Sequence, residues 1–133
     1  MLRMFFVLGL MLAAQSAIAE TPEGVLATLK SEASGKPGFQ EFSAARGETF
    51  FKTKHGGEWS CASCHTDNPA AEGKHAKTGK VIKPLAPSAN AERFSDMAKV
   101  EKWFKRNCND VLERVCTPQE KGDVLAYLLT VKK

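Results

Sequence analysis

The chain has 133 residues, 43% hydrophobic and 26% charged, with 19 Lys and Arg against 15 Asp and Glu for a net charge of +4. That length suits one small domain, and so slight and dispersed a basic excess reads as ordinary solvation. DNA and RNA are therefore not expected as partners.

The first segment reads as an export signal. Arg3 lies in a short basic start, Met4 to Ala14 is an apolar run of eleven residues, and Ala17-Ile18-Ala19 precedes Glu20. This order matches a secretory signal peptide over residues 1–19 with cleavage after Ala19. The run is about half the roughly twenty apolar residues of a spanning helix. Residues 20–133 then form a single domain outside the cytosol, in the periplasm.

Pro22-Glu23 opens a helix through Val25, Leu26 and Leu29, stopped by Ser34-Gly35-Lys36-Pro37-Gly38. A second helix is predicted from about Phe39 to Phe51, with Phe39, Phe42 and Phe50 near helical spacing. Gly47 inside it costs about 1 kcal/mol relative to alanine, which points to another backbone passing close by. Residues 66–90, with Pro69, Pro84 and Pro87, read mostly as loop. Helical pattern resumes at Ser95-Asp96, placing Met97, Val100, Trp103 and Phe104 on one face. Thr117-Pro118-Gln119-Glu120 is a capping box that opens a last helix with Val124, Tyr127, Leu128 and Val131 as its stripe. The fold class expected is all-α, with three to five helices and one long loop.

The chemistry concentrates in Cys61-Ala62-Ser63-Cys64-His65. Two thiols three positions apart reach the two vinyl groups on one edge of a haem, and the histidine that follows supplies the proximal iron ligand. A redox dithiol would need a βαβ context that the helical pattern does not offer. A zinc site joining Cys61 and Cys64 to Cys108 and Cys116 is disfavoured by the wide spacing of the second pair. One covalent haem c is thus the expected cofactor, and Cys108 and Cys116 are left to pair with each other outside the cytosol. His55 and His75 lie in polar stretches and read as surface residues.

Gly47-x-x-x-Phe51 ahead of Cys-x-x-Cys-His, with Tyr127 in a C-terminal helix, resembles class I cytochromes c, in which the first and last helices cross. A closer resemblance rests on Lys83-Pro84-Leu85-Ala86-Pro87-Ser88, Trp103-Phe104-Lys105-Arg106-Asn107-Cys108 and Cys116-Thr117-Pro118-Gln119-Glu120-Lys121-Gly122-Asp123-Val124. These are similar to the sphaeroides haem protein family of exported monohaem cytochromes. The resemblance implies that Asn107 is the sixth ligand of ferric iron, that it leaves on reduction, and that the open iron then binds oxygen or nitric oxide. It also implies a Cys108–Cys116 disulfide, and redox partners that are a dihaem cytochrome c and a b-type membrane cytochrome.

The residues themselves leave alternatives. Met97 is the one methionine after residue 19, but it precedes Pro118 by 21 residues, whereas Asn107 precedes it by 11 and follows an apolar helix. A methionine on an apolar face is more often core filler than ligand. Asn109 also flanks Cys108, and Asn107 could simply be a helix C-cap. A plain electron-transfer cytochrome with Met97 as ligand, or a reductase of a small nitrogen or oxygen species, would share the same attachment motif. A loop as short as that between Cys108 and Cys116 is stabilised by roughly 2–3 kcal/mol when closed.

Overall fold

Five helices and one hairpin make up residues 20–133, the part of the chain that the computed structural model describes. In chain order they are α1 (Pro22–Ser34), α2 (Ala44–Lys52), α3 (Cys61–His65), β1 (Gly73–Lys74), β2 (Val81–Ile82), α4 (Met97–Leu112) and α5 (Pro118–Thr130). The fold is all-α, as the sequence indicates; the export segment at 1–19 lies outside the described residues. Among these residues no helix is long and apolar enough to cross a membrane.

Each long helix starts at a side-chain cap. Thr21 accepts the Gly24 N–H at 3.0 Å and begins α1, whose Val25, Leu29 and Ala33 recur at helical spacing and are buried. The second helix starts later than the phenylalanine spacing predicts, because Ser43 accepts the Arg46 N–H at 3.2 Å and fixes the first turn there. Phe39 and Phe42 precede it instead, their rings 6.0 Å apart. Thr117 and Glu120 complete the capping box of α5, with the Thr117 N–H donating to Glu120 Oε2 at 2.8 Å.

The organising contact is the crossing of α2 and α5. An added Cβ at Gly47 would stand 1.8 Å from the Asp123 carbonyl oxygen, so the two helix backbones touch where no side chain fits. Asp123, buried on α5, straps the crossing: its carboxylate accepts the Ser43 N–H at 2.8 Å and both Arg46 Nε and Nη2 at 2.9 Å. The apolar side chains sort into two clusters around this frame. One holds Val25, Leu29, Val100 and Leu125 between α1, α4 and α5. The other holds Phe51, Val124, Tyr127 and Leu128 between α2 and α5. Tyr127 and Phe51 have ring centroids 5.6 Å apart.

Two readings of the sequence need correction. The stretch 66–90 contains an antiparallel hairpin, Gly73 opposite Ile82 and Lys74 opposite Val81, with strands too short to show an alternating pattern. The fourth helix also runs on through Asn107 to Leu112 and ends at Glu113, whose left-handed φ of 57° makes it the C-cap. Asn107 therefore lies inside the helix and is not its cap. Trp103, placed on the apolar face by its spacing, is 47% exposed, with the Arg106 guanidinium 5.6 Å from its ring centroid.

The crossing predicts an asymmetry between glycines in helices. Gly47→Ala should destabilise the protein by about 3 kcal/mol, because backbone must move to admit the methyl group. Gly24→Ala, whose Cβ would meet only Thr21 Oγ1 at 3.4 Å, should stabilise by about 0.5–1 kcal/mol. Urea unfolding of both variants measures the difference.

Candidate haem attachment site

The attachment motif occupies one helical turn held at both ends. Ser60 begins α3 by accepting the Ser63 N–H at 3.2 Å, and Ser63 Oγ accepts the Ser60 N–H at 2.9 Å. Ser63, between the cysteines, thus forms a capping box with Ser60 just before them, a pairing that the usual glutamate or glutamine signature does not reveal. Thr66, at a φ of 62°, turns the chain sharply out of the helix. Cys61 and Cys64, three positions apart, share a face of this turn. Both are free and half-buried.

Around them the walls are apolar. Cys61, Ala62, Leu85, Phe94 and Phe104 all pack against the cluster of Phe51, Val124, Tyr127 and Leu128. The His65 ring lies 6.3 Å from that of Phe51. Burial, reinforced by the positive charge of Arg93, pushes the imidazole down to about 4. It is therefore neutral at pH 7, with a lone pair to give to a metal. Burial likewise raises the Cys61 thiol to about 11. Arg93 is itself anchored, donating to the Pro84 carbonyl at 3.0 Å and the Lys83 carbonyl at 2.8 Å.

Behind the turn stands the hairpin. A Cβ on Gly73 would fall 2.0 Å from the Cys64 carbonyl oxygen, so only glycine lets β1 pass. The Ala76 N–H donates to Cys64 Sγ at 3.4 Å. His75 is not a loose surface residue: its Nδ1 accepts the N–H groups of Lys77 and Thr78 at 3.3 and 3.2 Å and closes the turn. His55 donates from Nε2 to the Phe50 carbonyl at 2.8 Å. Both histidines have local structural roles that spacing alone could not reveal.

Cys108 and Cys116 are joined by a disulfide, with Cα atoms 5.7 Å apart. They are not gathered with Cys61 and Cys64, and no group of three or more His, Cys, Asp or Glu among the described residues could hold a metal ion. With both sulfurs in a disulfide, Cys108 and Cys116 have no thiolates to give a zinc ion. A surface cleft of about 670 Å³ is walled by Arg46, Phe50, His55 and Asp123 and includes neither cysteine of the motif.

The long α4 also separates the three candidates for a second iron ligand. Asn107 comes seven residues after Val100, three after Phe104 and four before Val111, so it shares their stripe. Asn109 is two residues further on, about 200° around the helix. The Val111 carbonyl oxygen lies 3.5 Å from where a Gly57 Cβ would stand, which brings this end of α4 beside the segment leading into Cys61. Met97, at the first turn, packs instead against the cluster of Val25, Leu29, Val100 and Leu125.

The donor set and its walls fit a haem: two free thiols on one turn, a neutral, half-buried imidazole after them, and an apolar lining. Comparisons with known proteins agree. The family described as "Domain of unknown function (DUF1924)" matches residues 37–128. Cytochrome c'' of Methylophilus methylotrophus is 49% identical over 104 residues, 75% of this chain and 72% of the relative. The cytochrome c-type protein SHP of Cereibacter sphaeroides is 42% identical over 128 residues, 93% of this chain and 95% of the relative. Among solved structures, oxidised cytochrome c'' superposes with a TM-score of 0.73 at 45% identity, covering 84% of this chain and 95% of the other. Oxidised SHP, described as an oxygen-binding cytochrome c, gives 0.72 at 42% identity, covering 83% and 96%.

Alkylation of denatured, unreduced protein should label neither Cys108 nor Cys116, and prior reduction should add two labels. Free thiols at both positions in the native protein would remove the disulfide.

Proposed function

The chain belongs to the DUF1924 family, with cytochrome c'' and SHP among its relatives, and from that footing we propose a monohaem cytochrome with Asn107 as a redox-labile sixth ligand. It is a c-type cytochrome, and haem c is its covalent cofactor. In the proposed arrangement Cys61 and Cys64 hold the porphyrin by thioethers, and His65 gives its lone pair to the iron. When bound, the haem supplies a one-electron couple and a sixth coordination position.

The observation that carries the reading is the position of Asn107. It lies on the α4 stripe of Phe104 and Val111, directly before disulfide-bonded Cys108, whereas Met97 serves the other cluster. An amide oxygen is a hard, weak, neutral donor that suits ferric iron and holds ferrous iron poorly. Methionine sulfur has the opposite preference and raises the potential. Asn107 would therefore hold the ferric state, leave on reduction, and open the position to oxygen or nitric oxide. The disulfide would pin the backbone immediately after the residue that moves. The description of SHP as oxygen-binding supports the open position, and a solution structure of cytochrome c'', described as giving insight into haem-ligand detachment, supports the release. Export after Ala19 would place the protein in the periplasm. A dihaem cytochrome c and a b-type membrane cytochrome would then be its redox partners.

Replacing Cys61 and Cys64 with alanine should leave a haem that acid–acetone extraction removes. Asn107→Ala should turn the oxidised protein from low-spin six-coordinate to high-spin or water-ligated, leave the reduced spectrum nearly unchanged, and raise the potential. Met97→Leu should leave the spin state alone and cost under about 1.5 kcal/mol, as for a core methionine. Absorption and electron paramagnetic resonance spectra of the two variants test the assignment. The reverse pattern would make Met97 the ligand and the protein a plain electron carrier.

A further inference from the structure

The segment from Glu72 to Lys83 is one of two strongly one-sided runs of charge in the described chain, the other being Lys99 to Arg106 on α4. It carries Lys74, Lys77, Lys80 and Lys83 against the single acid Glu72, a local charge of +3 that equals the net charge of residues 20–133. The remaining described residues sum to zero charge. Several basic side chains elsewhere are neutralised in place, in Lys30–Glu41, Arg46–Asp123, Lys52–Glu48, Arg114–Glu120 and Lys121–Glu101 pairs. The four hairpin lysines are all exposed, and none forms an ion pair among the described residues.

A run of charges is usually a solvated face. Two observations set this one apart. The turn that carries the lysines is held in shape: the His75 N–H donates to the Lys80 carbonyl at 2.8 Å, the Gly79 N–H to the His75 carbonyl at 2.9 Å, and His75 Nδ1 accepts two further N–H groups. A surface already ordered loses little entropy when a partner binds it. The turn also touches the attachment site. Gly73 lies flush on the Cys64 carbonyl, the Ala76 N–H reaches Cys64 Sγ at 3.4 Å, and Lys77 Nζ stands 4.9 Å from the ring centroid of Trp59, two residues before Cys61. The unpaired positive charge thus sits on the segment whose Ala76 N–H reaches the Cys64 sulfur.

We propose that the β1–β2 hairpin is the docking surface for an acidic electron-transfer protein, and that the electron enters by way of Ala76 and the Cys64 sulfur. The inference rests on the reading that Cys64 carries haem. The partner loses one electron, ferric iron gains it, and no atom or proton is transferred. Complementary charge selects such a partner and speeds its encounter. An anionic membrane fits less well, because interfacial binding pairs basic residues with buried aromatic or leucine anchors. Here Lys77 covers Trp59, and Val81 is the one large apolar side chain that the hairpin exposes.

The test uses the holoprotein on a gold electrode coated with a carboxylate-terminated monolayer, which stands in for an acidic surface. Haem on Cys64 is first established from the mass of the peptide that carries it; a bare Cys64 sinks the parent reading and this one with it. Two variants of equal charge are compared: Lys74→Glu, Lys80→Glu and Lys83→Glu together, and Lys36→Glu, Lys132→Glu and Lys133→Glu together. Lys77 is kept, because it covers Trp59. At low ionic strength the hairpin variant should lose about tenfold or more in interfacial electron-transfer rate, the control less than about twofold, and the gap should close near molar salt. An equal loss in both variants, or none in the hairpin variant, overturns the proposal. Co-sedimentation of the wild-type protein with phosphatidylglycerol vesicles, abolished by the hairpin substitutions, overturns it in favour of a lipid surface. Unchanged ferric spectra in both variants exclude misfolding as the cause.

Discussion

The meeting of Gly47 with the Asp123 carbonyl is the constraint from which the rest of the architecture follows. With the α2 and α5 backbones in contact, Phe51 and Tyr127 are forced to the same side, and their rings make the floor on which α3 sits. A bulkier residue at position 47 would part the helices and lower that floor. The buried Asp123 carboxylate reinforces the crossing by fixing the first turn of α2 through Ser43 and Arg46. Removing Arg46 would leave the buried Asp123 carboxylate without its charge partner, so frame and strap depend on one another.

The local part of this design was readable in the residues alone. Thr117, Pro118 and Glu120 announce a helix start because a capping box is made within four residues. Cys61, Cys64 and His65 announce their chemistry because attachment and ligation need that spacing. Gly47 could be read as a crossing point only because a glycine inside a helix asks for an explanation. What escaped the reading depends on segments far apart in the chain. Asp123 meets Ser43 and Arg46 across 80 and 77 residues, and nothing near it marks it as a buried strap. Gly73 looks like any loop glycine until Cys64 is placed behind it. The end of α4 was misplaced for a different reason: from Lys105 to Asp110 the helix is almost wholly polar, so apolar periodicity gives out before the helix does.

The same polar stretch explains why the sequence leaves the two asparagines beside Cys108 level. In the sequence Asn107 and Asn109 flank Cys108 symmetrically. Once both lie within one continuous helix the symmetry is gone, since two residues of helix amount to more than half a turn. Met97 is set apart by its packing: the fold has two apolar clusters, and the methionine lies against the one that Cys61 does not join.

In the ligand role proposed for Asn107, position 107 behaves as an interchangeable part. The helix that carries it is fixed at its start by the Asp96 cap and near its end by the disulfide, so its backbone path does not depend on the side chain presented there. A single codon change could exchange an oxygen donor for a nitrogen or sulfur donor, or for none, while leaving the helix, the disulfide and the attachment turn in place. Such a scaffold lets selection diversify iron chemistry faster than it diversifies fold. Descendants of one ancestor could then keep superposable backbones while parting ways in what they bind.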